Sequence, residues 1–289
     1  MRMKIKITAD STIDLTPELI KKHNIATIPL VVNLGDESFF DGETITPPDI
    51  YKYFDETGNL PKTGARSPED FKEFFKPFID DGYEIVHIGI GSDFSCCFQN
   101  VNLACQELKG VYPVDSESLS SGSGLLVLYA CELAETGKYT AKEIAEKVAS
   151  RVKNVQASFV IENLKFLHKG GRCSALTLLG ANLLKIKPSI QVVNGKNQVA
   201  RKYFGNMINC IKKYAEDTLK IYNNPDHTRV FITYSTATPE MINAAREVLK
   251  TYGKFKEVIE SQAGSVINSH CGKNTLGILY LNDGDEKRI

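Results

Sequence analysis

At 289 residues the chain is long for a single hydrophobic core and suits two domains of ordinary size. Its 35 lysines plus arginines balance 35 aspartates plus glutamates, so no global field draws nucleic acid or an acidic membrane surface. No apolar run reaches membrane-spanning length, no apolar segment follows the charged start as in a signal peptide, and the seven cysteines read as reduced core thiols, so a soluble, cytoplasmic protein is expected.

The first half alternates strand and helix. Ile5 to Ala9 reads as a strand, and Thr16-Pro17-Glu18 supplies an N-cap, a first-turn proline and a first-turn acid for a helix to about His23. Ile25 to Val32 is the next predicted strand. A loop rich in Gly, Asp and Pro follows, with Asp41-Gly42 as a turn and Thr46-Pro47-Pro48 as a helix start. Ser67 with Asp70 forms a capping box that opens a helix to about Asp80.

Ile85 to Ile90 is a short apolar run of the kind a doubly buried strand shows, and Gly91-Ser92-Asp93-Phe94-Ser95 turns from it into a helix over Cys96 to Leu108. In an open α/β sheet such a turn lies at the carboxyl edge, where ligands bind, so Ser95 can donate its hydroxyl to an anion there. Ser92 or Ser95 equally serves as an ordinary helix cap. Val111 to Val114, a helix from Leu125 to Thr136, and a Thr140/Glu143-capped helix to about Asn154 complete a doubly wound, mostly parallel sheet.

A domain boundary is expected near Gln156, dividing an N-terminal α/β domain, residues 1–156, from a C-terminal α+β domain, residues 157–289. In the latter, Ser158 begins a strand, Leu164 to His168 forms a short helix, and Ala175 to Leu184 a mostly apolar one. Asn194-Gly195 joins the strands Ser189 to Val193 and Gln198 to Tyr203 as a hairpin. Helices from Asn206 to Tyr222 and from Thr238 to near Gly253, with strands at Val230 to Tyr234, Val258-Ile259 and Leu276 to Leu281, make the second sheet mixed.

Several chemical readings compete. Gly89-Ile90-Gly91 after a strand suggests a dinucleotide loop, but Phe94 stands in the third glycine's place. Ser95 with His270 lacks a nucleophile elbow for hydrolysis. Asp10, Asp14 and Asp115 at strand ends can bind a cation or bond their own turns. His87 alternates with apolar neighbours, as a core histidine does, and Cys96-Cys97 lacks zinc spacing.

Taken together, Asp10-Ser11-Thr12-Ile13-Asp14-Leu15, Pro29-Leu30, Asp41-Gly42, Pro61-Lys62-Thr63, Asp115-Ser116, Leu167-His168-Lys169-Gly170-Gly171-Arg172, Ile186-Lys187-Pro188 and Ser269-His270-Cys271-Gly272 resemble the bacterial DegV family in order and spacing, over nearly the whole chain. The resemblance implies a non-catalytic protein, free of cofactor and metal, that holds a long-chain fatty acid in a tunnel between its domains. It further implies the acyl-carrying subunit of a fatty acid kinase, presenting the acid to a separate ATP-dependent kinase protein.

Carried over by motif, the carboxylate-binding residues fall on Thr63, Ser95 and His270, and Arg172 falls at the same mouth, near the phosphoryl group or partner. Where the family usually has Thr-Ser-Gln-Pro this chain has Thr63-Gly64-Ala65-Arg66. Cys96 follows Ser95 in place of glycine, and Lys273 replaces a proline after His270. Gly64, Cys96, Arg66 and Lys273 therefore join Arg172 as candidates for the mouth or partner contact, with a mouth more cationic than usual. Leu176, Leu179 and Leu183, on the apolar helix with Leu178 and Leu184, line either the acyl tunnel or an ordinary core. The alternative is a small-substrate enzyme, because the family's fold resembles the dihydroxyacetone-binding half of dihydroxyacetone kinases; with no phosphate-loop motif here, ATP would have to come with a partner.

Overall fold

The computed structural model describes residues 4–173 and 186–285. In the first half, strand β1 (Lys4–Asp10) lies between β2 (Ala26–Ile28) and β6 (Tyr83–Gly89), and β7 (Val111–Asp115) completes a parallel sheet of order β2-β1-β6-β7. The central strands are buried on both faces, as their continuous apolar runs require. Helices α3 (Pro68–Asp80) and α4 (Cys97–Cys105) pack Phe71, Phe75, Val101 and Ala104 on one face, against Ile85. On the other face, α5 (Ser121–Thr136) and α6 (Ala141–Arg151) set Leu126, Ile144 and Val148 against Ile7, Val86 and Ile88. His87 is a core residue, edge-on to Phe71 and Phe75, and hydrogen-bonded at Nδ1 to Thr8 Oγ1 at 3.0 Å; burial lowers its pKa to about 3.

The second half is built on a six-stranded mixed sheet. Its order is β10 (Lys196–Tyr203), β9 (Lys187–Val193), β8 (Val155–Val160), β13 (Leu276–Leu281), β11 (Arg229–Tyr234), β12 (Glu257–Gln262). Asn194 and Gly195, with φ of 50° and 77°, make the two-residue turn between β9 and β10 that their left-handed tolerance suits. Helices α8 (Met207–Ile221) and α9 (Pro239–Val248) cover one face with Tyr214, Ile211 and Val248. The other face meets α5, whose core cluster includes Ala157, Phe231, Leu279 and Leu281. Helix α5 is thus shared by both sheets, which is why its apolar residues run all round it.

Local signals place most elements. The capping boxes at Ser67/Asp70 and Thr140/Glu143 are present, and Thr16, Asn206 and Thr238 cap their helices. Four expectations change. The strand predicted over Ile25 to Val32 is two strands in different sheets: β2 ends at Ile28, and β3 (Val31–Leu34) joins β4 (Glu37–Phe40) and β5 (Lys62–Gly64) in a small antiparallel sheet. Pro29 has no N–H to give a ladder, and the Leu30 N–H donates to Ser11 Oγ at 3.1 Å instead, which turns the chain. The loop expected before Asp41 is therefore a hairpin. Helix α4 stops at Cys105 rather than Leu108, and α5 begins a turn early, at Ser121. A seven-residue helix, α10 (Ser265–Cys271), was not expected. The predicted helix over Ala175 to Leu184 lies outside the described residues, as do Leu176, Leu179 and Leu183.

Among the described residues no helix is long and apolar enough to cross a membrane. One buried ionic staple joins the halves. Arg151, 3 % exposed at the end of α6, donates through Nε and Nη2 to both oxygens of Asp283 at 2.9 and 2.7 Å and through Nη2 to Asp226 at 3.0 Å. Removing one partner of such a group leaves buried charge uncompensated. Arg151→Ala should cost about 3 to 5 kcal/mol in urea-induced unfolding; a loss below about 1 kcal/mol, the range of an exposed pair, would contradict this account of the staple.

Candidate functional site

From β1 the parallel sheet grows to β2 on one side and to β6 and β7 on the other, and ligands of open α/β sheets bind beyond the carboxyl ends of strands at such a switch in strand order. Asp10, at the end of β1, locks that edge: Oδ2 accepts the Ile90 N–H at 2.7 Å, and Oδ1 accepts from the Thr12 N–H and hydroxyl. The chain then runs through Ser92 to Ser95 into α4. Asp115, at the end of β7, accepts the Ser92 N–H at 3.2 Å and its own turn's Glu117 N–H at 2.9 Å. Asp10 and Asp115 thus bond turns, and among the described residues no group of three or more His, Cys, Asp or Glu can hold a metal ion.

A cavity of about 510 Å³ opens at this edge, lined by Leu30, Ile90 and residues of β5 from the first half and by residues of β8, β11 and β13 from the mixed sheet, within the usual range for small-molecule sites. Thr63, Ser95, His270 and Arg172 all line it, with Gly64 and Cys96 beside them. Thr63, on β5, shares a 2.8 Å hydrogen bond between its Oγ1 and His270 Nε2, on α10. Ser95 Oγ accepts the Cys97 N–H at 3.3 Å, a local turn contact one residue before the N-cap of α4, which is Cys96. Its own hydrogen faces the Cys97 thiol, a weak acceptor that an anionic ligand can outcompete. Arg172 donates Nη1 to Gly170 O at 2.8 Å and Nε to Phe94 O at 3.4 Å, which ties the segment before β9 to the loop that carries Ser95.

His270 is neutral at physiological pH. Burial, and then the nearby Arg172 cation, lower its pKa to about 4. Among the described residues its Nδ1 is buried without a hydrogen-bond partner, and a Cβ on Gly170 would stand 2.6 Å from that atom. The first glycine of Gly170-Gly171-Arg172 therefore makes room for the imidazole.

Several hydroxyls of the lining are bonded inside the protein. Ser158 Oγ bonds Tyr214 OH at 2.8 Å, Thr233 Oγ1 bonds Ser121 Oγ at 2.5 Å, and Thr275 Oγ1 donates to Cys271 O at 3.0 Å. With those hydroxyls satisfied inside the protein, the wall offers Leu30, Ile90, Phe159, Leu167, Ile267 and Leu279 to a ligand. One amide breaks the pattern. Asn197, on β10, donates Nδ2 to Arg172 O at 3.1 Å while its Oδ1 is buried without a partner among the described residues, and no sequence motif marked it.

Arg66 and Lys273 do not join this lining. Arg66 pairs with Asp70 at 3.1 Å and lies over the Phe40 ring, and Lys273 pairs with Asp55 at 2.9 Å over Tyr51. Each cation expected at the mouth is thus held by a carboxylate of the first half. What sequence reading missed most is α10. Its first N–H groups are capped by Asp14 and Asp41, more than two hundred residues away, so no local cap announces it.

Comparison with known proteins agrees with this architecture. The sequence profile of the DegV family matches residues 4–283. A DegV domain-containing protein of Clostridium acetobutylicum is 31 % identical over 287 residues, covering 96 % of this chain and 98 % of the relative. A protein of Thermotoga maritima named fatty acid-binding protein is 32 % identical over 288 residues, covering 95 % and 96 %. The solved structure of a DegV family protein from Thermus thermophilus, described by its fatty acid binding, superposes with a TM-score of 0.88 at 29 % identity, covering 97 % of this chain and all of that one. The last two names describe binding rather than catalysis. With a matching profile over nearly its full length and a shared fold, the chain belongs to the DegV family.

Proposed function

We propose that the protein binds a long-chain fatty acid in this cavity, between an N-terminal unit of residues 1–156 and a C-terminal unit of residues 157–289. Thr63, Ser95 and His270 grip the carboxylate, and the hydrocarbon runs inward along the satisfied wall. The observation that carries the reading is a contrast within one lining: the Ser158 and Thr233 hydroxyls are bonded inside the protein, while the Thr63–His270 pair and Ser95 face the same cavity beside its apolar residues. Fatty acid binding by the relatives from Thermotoga maritima and Thermus thermophilus supports it.

The magnitudes suit that division of labour. Each buried methylene contributes roughly 0.8 kcal/mol, so a long chain supplies on the order of 10 kcal/mol gross. A buried carboxylate without donors costs several kcal/mol. The tail therefore gives affinity, and the donors decide which end faces out.

We further propose that the exposed acid is presented to a separate ATP-dependent kinase protein, whose γ-phosphoryl group passes to a carboxylate oxygen as ADP leaves. Arg172 would then hold charge on the transferring group. The sequence has no phosphate loop of its own, which fits nucleotide on the partner.

Mass spectrometry of a solvent extract of the purified protein should find fatty acid near one per chain. Absence of acid, with no thermal stabilisation by added fatty acids, would reject the reading. Ser95→Ala and His270→Ala should each weaken binding by about 1 to 3 kcal/mol, measured by calorimetry, because the carboxylate is left short of a donor; unchanged affinity in both would remove the head-group assignment. Arg172→Ala should impair acyl phosphorylation in a reconstituted kinase assay more than it impairs binding, and an equal loss of both would argue against its proposed role.

A pH dependence follows with a definite sign. Free His270 titrates at about 4, and a bound carboxylate favours the imidazolium, so binding raises that pKa. Affinity should therefore rise as pH falls from 7 toward 5, with a flatter profile in His270→Gln. The same slope in both proteins would contradict the assignment.

A further inference from the structure

The acidic motif after β1 has a contact that acid recognition leaves unexplained. Asp14 and Asp41, 5 % and 4 % exposed, have no cationic side chain paired with them among the described residues. The Oδ2 atoms accept the Ser120 and Ser11 hydroxyls of the first half, and the Oδ1 atoms are directed at one short stretch of the other half of the chain. The Gly264 N–H donates to Asp14 Oδ1 at 2.8 Å, and the Ser265 N–H donates to Asp41 Oδ1 at 2.6 Å. A Cβ on Gly264 would stand 3.0 and 3.1 Å from the two Asp41 oxygens and 3.4 Å from Asp14 Oδ1, so the backbone there is gripped from two sides.

That stretch begins α10, and His270 sits near its far end. Further ties to the first half hold the same turn: Ser265 Oγ donates to Ile45 O at 3.3 Å, and Tyr51 OH donates to Asn268 Oδ1 at 2.5 Å. At the other end the imidazole is wedged between Thr63 and Gly170. A helix of two turns transmits a shift of its first residues to its last, and a ring so enclosed has no spare room to recover its hydrogen bond.

We propose that Asp14 and Asp41 clamp Gly264 and Ser265 and so set the position of His270, which makes them positioning residues for recognition of the ligand's acid group. The proposal rests on the reading that His270 grips the carboxyl group. Burial holds both carboxyls above their ordinary range, and an asparagine at position 41 keeps an oxygen that can accept the Ser265 N–H.

The test compares palmitic acid with palmityl alcohol, which shares the tail and lacks the charge, and follows the ring nitrogens of His270 by NMR. Wild type should prefer the acid, and His270→Ala should lose that preference. Gly264→Ala and Asp41→Ala should lose it on the order of tenfold while keeping the alcohol's affinity, with the His270 nitrogen resonances moved and Asp41→Asn restoring both. Should Gly264→Ala fail to fold, the Asp41 pair decides. Folded variants that keep the wild-type preference and resonances, or that lose acid and alcohol alike, overturn the clamp. A His270→Ala protein that retains the preference overturns the ligand reading instead, and the resonances of Gly264→Ala and Asp41→Ala then still decide the clamp.

Discussion

Helix α5 is the constraint on which the rest of the molecule depends. It is buried on nearly every side because two sheets share it: the parallel sheet packs on one flank, and Ala157, Phe231 and Leu279 of the mixed sheet on the other. Close approach is possible because Gly124 has no Cβ, which would stand 2.6 Å from Ile13 O, and because Ser121 spends its hydroxyl on Thr233 at 2.5 Å. A helix held this way leaves the two halves one relative position. That position brings the carboxyl edge of β1 and β6 opposite the turn that starts α10, and it brings Thr63 within 2.8 Å of a histidine 207 residues later.

The cavity follows from the same packing, and its chemistry is decided by which polar groups are already satisfied. A hydroxyl bonded within the wall presents mainly its carbon to a guest, whereas one with an unused hydrogen presents a donor. Ser158, Thr233 and Thr275 are of the first kind, and Ser95, whose hydrogen faces only the weakly accepting Cys97 thiol, is nearer the second. Under the proposed reading, the apolar residues and the bonded hydroxyls suit hydrocarbon, and Thr63, Ser95 and His270 suit an anion. Burial keeps His270 uncharged until a ligand supplies negative charge, so the site does not strand an unpaired cation in the empty protein.

Much of the fold was legible from local chemistry. Capping boxes at Ser67 and Thr140, first-turn prolines at Pro17 and Pro239 and the Asn194-Gly195 turn act within a few residues, so the sequence displays them. What it did not display depends on distant partners. The break at Pro29 is stabilised by Ser11, and α10 is capped by carboxylates from the opposite half. The candidate head-group residues were reached through the family resemblance rather than periodicity. Arg66 and Lys273, whose charges promised a cationic mouth, are held by Asp70 and Asp55 away from the cavity wall, a pairing that no spacing rule encodes for Lys273 and its partner 218 residues earlier.

The most direct measurement is a crystal structure of the protein loaded with palmitic acid. The account predicts the carboxylate within hydrogen-bond distance of Thr63 Oγ1, Ser95 Oγ and His270, with the chain extending inward past Phe159 and Leu279. A ligand lying with its acid group at the inner end, or bound outside this cavity, would contradict it.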